Sequence, residues 1–271
     1  MPELVAEPEE QKEQRELGSM SLLQHLEELR RRIIFSLAAV AVCTGVAWWW
    51  VRDIYALVAK PVTVVLLKNK IDPHLVYQNP TDPFNLYLKV GIMAGLFIAS
   101  PYLLYQLWMF ISPGLYRNEK RFILPFLFLS VGLFLSGGYF GYKVVFPVAL
   151  DFLITTYGSD FKAMITIPEY TSLFLTIILG LSIIFELPIV LGFLAMMGVV
   201  NAKFLFAHIR GAVLLFFVIA AILTPTTDIL NMTIYAAPMI LLYLLSIGIA
   251  WLVHPKQRRA RREKRERAGP Q

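Results

Sequence analysis

The chain has 271 residues, 57% of them hydrophobic and 16% charged, with a mean hydropathy of +0.62. So little charge cannot clothe a water-soluble protein of this size, and apolar runs of about 18 or more residues point to an integral membrane protein. The runs are too continuous for a barrel whose strands alternate over roughly 10 residues, and the net charge of +6 is no nucleic-acid signal because the tail PKQRRARREKRER carries most of it. An all-α bundle embedded in a bilayer remains.

Residues 1 to 20 contain Glu3, Glu7, Glu9, Glu10, Glu13 and Glu16 and read as a disordered acidic arm. With no basic segment ahead of an apolar core, they are not a cleavable signal peptide. Ser21 is the expected N-cap of a short amphipathic helix carrying Leu22, Leu26 and Leu29, suited to the membrane interface. The octet HLEELRRR, residues 25 to 32, then passes without a turn signal into a first span over about 33 to 51. That span ends in Trp48, Trp49 and Trp50, which suit the headgroup level.

Residues 52 to 88 form a long excursion, punctuated as turns and short helices by Lys60-Pro61, Asp72-Pro73, Asn79-Pro80 and Asp82-Pro83. It caps the bundle or lies on the membrane surface. Further spans are expected at 89–112, interrupted by Pro101, then at 122–146, 169–196, 209–223 and 231–252. The loop SPGLYRNEKR fills 112 to 121, and a second excursion with Pro147 fills 147 to 168. The fifth span, at 1.5 Å per residue, covers only about 22 Å of a hydrocarbon core of about 30 Å. Two short helices that thin the bilayer locally are the better reading, with a re-entrant hairpin as the alternative. Residues 21 to 253 thus make one six-helix transmembrane domain, followed by a basic tail at 254 to 271 that faces anionic lipid. The side holding Arg30, Arg31, Arg32, Arg117, Lys120, Arg121, Lys203, Arg210 and the tail is the more basic, so both termini are cytoplasmic.

Residues that break the apolar runs carry the information. Glu186, in LSIIFELPIVLGF, must be protonated, hydrated or paired across helices. It is either a structural bond to a neighbouring helix or a contact for a partner, a substrate or a proton relay. Pro188 frees a backbone carbonyl near residue 184 and bends the helix beside it. At the foot of the first span the arginines alone would serve as an anchor, so Glu27 and Glu28 are the unusual part. Together with Glu119 they could make an acidic spot for a basic peptide, or they could be surface pairs that specify nothing. Asp228, after Thr226 and Thr227, is a candidate N-cap of the last helix. Tyr139, Tyr142 and Lys143 make a polar stripe in which Lys143 can snorkel.

No enzyme constellation stands out. His25, His74, His208 and His254 are scattered, Cys43 is alone, and there is neither an HExxH pattern nor a Walker-type loop. No metal and no cofactor are expected. If the chain moves something, the energy comes from a gradient or a partner.

Taken together, HLEELRRR, the proline-rich first outer loop with Lys60-Pro61, SPYLLYQLWMFISPGLYRNEKR at 100 to 121, FELP at 185 to 188, LTPTTD at 223 to 228 and Ala236-Ala237-Pro238 resemble the TatC family, the polytopic core subunits of the twin-arginine protein translocase. The resemblance runs from about Ser21 to Val253. It implies a curved, glove-like bundle in the bacterial cytoplasmic membrane that exports folded proteins on the proton-motive force. It further implies that Glu28 and Glu119, with Arg30 and the adjacent Glu27, bind the arginine pair of signal peptides. Glu186 would then meet TatA- or TatB-type single-span partners, with Pro188 and Asp228 serving the same step, and the chain would self-associate in a receptor complex. LTPTTD is one residue longer than the commoner LTPPD-like form, which leaves the register of Asp228 open by one. Guanidinium–carboxylate forks give direction as well as charge, a physical reason for such a receptor to prefer arginine to lysine. The rival readings are a secondary transporter or channel for a small solute, which would show internal repeats, and a membrane scaffold without a substrate.

Overall fold

The computed structural model describes residues 22–111, 123–158, 164–224 and 228–253, and they are nearly all helical. Five helices are long and apolar enough to cross a bilayer, over Gln24–Trp48, Asp82–Ile111, Leu124–Thr156, Ile167–Met196 and Met232–Trp251; Ile209–Leu223 is a shorter apolar helix.

Helix α1, Leu22–Trp48, is one unbroken rod, so the amphipathic turn around Glu27 and Glu28 continues the first membrane helix instead of lying apart from it. The cause is local: residues 22 to 48 contain no proline, and Leu26, Leu29 and Ile33 continue one helical face. α1 packs along α3, Asp82–Ile111. The two backbones come close at Gly95, where an added Cβ would stand 2.6 Å from the Thr44 nitrogen, a small-residue crossing of the kind that packs helices in lipid.

The first excursion is more helical than expected. α2, Val51–Lys68, runs through Lys60-Pro61. Pro61 has no N–H for the Leu57 carbonyl four residues back; the Tyr142 hydroxyl donates to that oxygen at 2.8 Å, and the Tyr170 hydroxyl donates to the neighbouring Val58 carbonyl at 2.5 Å. Pro101 likewise fails to interrupt α3, where the Ser100 hydroxyl donates at 2.8 Å to the Phe97 carbonyl that Pro101 leaves free. Proline is tolerated at both places because another donor replaces the missing one.

The third apolar segment also outruns its expected length. α4, Ile123–Phe140, leads through a π-helical turn at Gly141–Val145 into α5, Phe146–Phe152, and a second π turn at Leu153–Tyr157, so Pro147 sits at the start of a helix. The two excursions are tied together. Lys68 Nζ and Asn69 Nδ2 each donate at 2.8 Å to the two oxygens of Asp151, and Val76 exchanges backbone bonds of 2.9 Å with Ile165 and Ile167. α6, Ile167–Ile184, stops at Phe185–Glu186 and resumes as α7, Leu187–Met196, with Pro188 in its first turn. A short α8, Ala202–Ala207, starts on the Asn201 side chain, which accepts from the Phe204 N–H at 2.8 Å. It leads to α9, Ile209–Leu223, and α10, Ile229–Val253.

Val62, Leu66, Val90, Phe146, Tyr170, Ile177 and Leu181 form the main core beneath the tied excursions. A second cluster joins α7, α9 and α10. The third, Leu104, Trp108, Phe134, Ile189 and Phe193, surrounds the α6–α7 break.

Candidate functional site

Gly95, Tyr102 and Gln106 are spaced by seven and four residues, so they share one face of α3. Because Gly95 lets α1 come close, that face delivers Tyr102 and Gln106 against the first turns of α1. A cavity of about 760 Å³ opens there, walled by Gln24, Glu27, Glu28, Arg31 and Arg32 from α1 and by Tyr102, Tyr105 and Gln106 from α3. Phe35 completes it, with the Arg31 guanidinium 5.5 Å above its ring.

Inside it, Arg32 grips one oxygen of Glu28. Its Nε donates to Glu28 Oε1 at 2.9 Å, and its Nη2 contacts the same oxygen. The remaining Arg32 nitrogen, Nη1, donates to Gln106 Oε1 at 3.0 Å, and Gln106 Nε2 donates to the Tyr102 hydroxyl at 2.6 Å. The other Glu28 oxygen, Oε2, is buried without a protein partner. Both side chains of the ion pair are only 20% exposed, so water and salt screen the contact less than they would a free surface pair. Glu27 and Arg30 are exposed, with Glu27 on the cavity wall. His25 stacks on Phe110 at 4.4 Å and fixes the α1 foot to the end of α3. Glu119 lies outside the described residues.

Glu186 occupies a different setting. It is half-buried at the break between α6 and α7, with Oε1 buried and unpartnered. The fully buried Ser130 hydroxyl of α4 lies beside it, and Ser130 Oγ accepts from Trp108 Nε1 of α3 at 3.0 Å. Trp108 is two residues from Gln106, about 200° around the helix. One turn of α3 therefore serves the Glu28 cavity with one face and the Glu186 cluster with the other. Pro188 is buried in the first turn of α7. Asp228 precedes α10 and its carbonyl accepts from the Met232 N–H at 3.0 Å, the backbone geometry of a helix start.

Sequence reasoning did not single out Arg32, Gln106, Tyr102, Ser130 or Trp108. Gln106 had a visible signal, since it is the one amide in the apolar run SPYLLYQLWMFI. Ser130 and Trp108 had none, because either is common in a membrane helix. Among the described residues no group of acidic, histidine or cysteine side chains is arranged to hold a metal.

The family model described as Sec-independent protein translocase protein (TatC) matches residues 24–238. A Sec-independent protein translocase protein TatC from Koribacter versatilis is 58% identical over 253 residues, covering 93% of each chain. One from Aquifex aeolicus is 35% identical over 244 residues, 88% of this chain and 98% of its own. A crystal structure of a twin-arginine translocase receptor TatC superposes with a TM-score of 0.74 at 34% identity, over 84% of this chain and 99% of that one. With this match to family and fold, the chain belongs to the TatC family of Sec-independent, twin-arginine protein translocases, a family of multi-pass membrane proteins.

Proposed function

We propose that within this family the chain acts as the signal-peptide receptor of the translocase in the bacterial cytoplasmic membrane, with both termini on the cytoplasmic side. The carrying observation is the Glu28 cavity: a largely buried acidic side chain at the foot of a membrane helix, in an outward-opening cavity lined by arginine, aromatic and amide groups. Glu28 and Glu119 receive the two arginines of a signal peptide, with Glu27 and Arg30 at the rim. The folded passenger stays in the cytoplasm, and the proton-motive force drives its passage without catalysis by this chain.

Glu186 serves the later step. A carboxyl group beside a helix break, next to the Ser130 hydroxyl and with a buried, unpartnered oxygen, suits a hydrogen bond to a polar group on a single-span partner of the TatA or TatB type. Pro188 keeps the break open, and Asp228 belongs to the turn that starts α10. Self-association into a receptor complex and contact of the basic tail with anionic lipid complete the reading.

Pull-down of the full chain in detergent with a twin-arginine signal peptide and its twin-lysine counterpart tests the receptor role; equal capture of the two sinks it. Orientation is tested by single cysteines at Ser19, Asn69, Asn118 and Ser159 in a Cys43→Ala background. An impermeant thiol reagent added outside is expected to reach only 69 and 159, and labelling at 118 in intact cells would reverse the topology.

A further inference from the structure

Arg32 is a guanidinium already seated in the cavity proposed to receive guanidinium groups. Its three nitrogens meet two acceptors on two helices: Nε and Nη2 meet Glu28 Oε1, while Nη1 meets Gln106 Oε1 at 3.0 Å. A planar, three-nitrogen cation satisfies both acceptors at once; an ammonium, a compact point charge, lacks the fork that spans them. The amide is held for this task, because Gln106 gives its N–H to the Tyr102 hydroxyl and so keeps its oxygen turned to the cation. The side chain of Gln106 is also buried, so its acceptor has little water to fall back on.

Glu28 offers a newcomer no open oxygen. Oε1 is taken by Arg32, and Oε2 is buried without a partner. A guest cation can reach the carboxylate only when the carboxylate turns and Arg32 lets go. Glu27, exposed on the same wall, can pair with Arg32 once it is released.

We propose that Glu28 and Gln106 together form a guanidinium subsite, that Arg32 fills it in the resting chain as an internal stand-in, and that a signal-peptide arginine binds by displacing Arg32. Gln106 is then a specificity-determining residue, and Arg32 an occupant whose departure precedes binding. The two roles give different signatures. Displacement of Arg32 is common to every guest, so it lowers all affinities by the same factor. The bond to Gln106 is made only by a fork, so it sets the ratio between arginine and lysine guests.

This inference rests on the receptor reading, and one titration separates the two. The full-length chain in nanodiscs is titrated with a fluorescent twin-arginine signal peptide and with its twin-lysine version. Arg32→Gln is expected to tighten both by about tenfold, the scale of one charge-assisted contact, and to leave their ratio unchanged. Arg32→Lys, which keeps the charge but not the fork, is expected to fall between. Arg31→Gln removes the same charge from the same cavity without touching Glu28, and is expected to change little. Gln106→Met is expected to weaken the twin-arginine peptide selectively and narrow the ratio. Weaker binding by both Arg32 variants would make Arg32 a support for Glu28 and overturn the displacement. Equal tightening by Arg31→Gln and Arg32→Gln would reduce the effect to general charge, and an unchanged ratio in Gln106→Met would remove Gln106 from the subsite. If the unaltered chain binds neither peptide, the receptor reading itself fails.

Discussion

Glu28 and Glu186 are the same side chain in opposite circumstances. Glu28 sits on a helix whose main packing partner is α3, in a cavity that opens outward, beside a guanidinium and an amide. Glu186 sits at a break between two helices, with the Ser130 hydroxyl as its neighbour and, through it, Trp108. The first environment supplies countercharge and is suited to recognising a cation. The second supplies none within its cluster and is suited to a neutral hydrogen bond. Chemical identity alone would have given both carboxylates one role; their surroundings assign two.

The division is broken most directly at Glu28. A Glu28→Gln, Glu119→Gln double variant keeps shape and loses charge, and twin-arginine peptide binding is expected to weaken by about 2–5 kcal/mol per desolvated contact. Full binding, measured by peptide crosslinking in membranes where the protein is still folded, would rule out the charge-pair account. Glu186→Ala is the counterpart. It is expected to spare peptide binding and impair partner crosslinking and transport, by about 1–3 kcal/mol for a buried polar contact. Glu186→Gln, which keeps a donor and an acceptor, is expected to be milder. Loss of peptide binding with intact partner crosslinks would merge the two sites.

Ser130→Ala sharpens the comparison, because it strips Glu186 of its neighbour and leaves the Trp108 N–H buried without an acceptor. A destabilisation of about 1–3 kcal/mol is expected in denaturant unfolding, with peptide affinity unchanged. The smallest effect belongs to the hydroxyls far from either carboxylate. Tyr170→Phe is expected to destabilise by about 1 kcal/mol and Tyr142→Phe by less, since the first bond is buried and the second exposed. A larger loss at position 142 would contradict that ranking.

The apolar runs and the two informative carboxylates were legible in the sequence because burial in lipid makes charge rare. Motif order over six runs carried the family resemblance. Helix limits were less legible at prolines: Pro61 and Pro101 read as turns or interruptions, and only the packed chain shows the hydroxyls of Tyr142 and Ser100 that replace the missing donors. The cavity was half legible. Glu27 and Glu28 stood out against the arginines, yet nothing local tells which arginine turns toward the carboxylate. Arg32 does so because Glu28 is four residues behind it and Gln106, 74 residues away, lies on the facing helix. A contact that depends on a helix crossing at Gly95 and Thr44 has no short-range signature.

The Pro61–Tyr142 pair also gives this fold an order of events as its sequence drifts. While position 61 is proline, the Leu57 carbonyl depends on the Tyr142 hydroxyl. Any residue with an N–H at position 61 restores the ordinary helix bond, and the hydroxyl becomes dispensable. Proline can therefore be lost first at no cost to this carbonyl, whereas tyrosine lost first leaves the carbonyl to solvent, a small penalty because the bond is exposed. Tyr142→Phe should be neutral after the loss of Pro61 and carry its small penalty only before that loss. Drift at this pair of positions has a preferred direction.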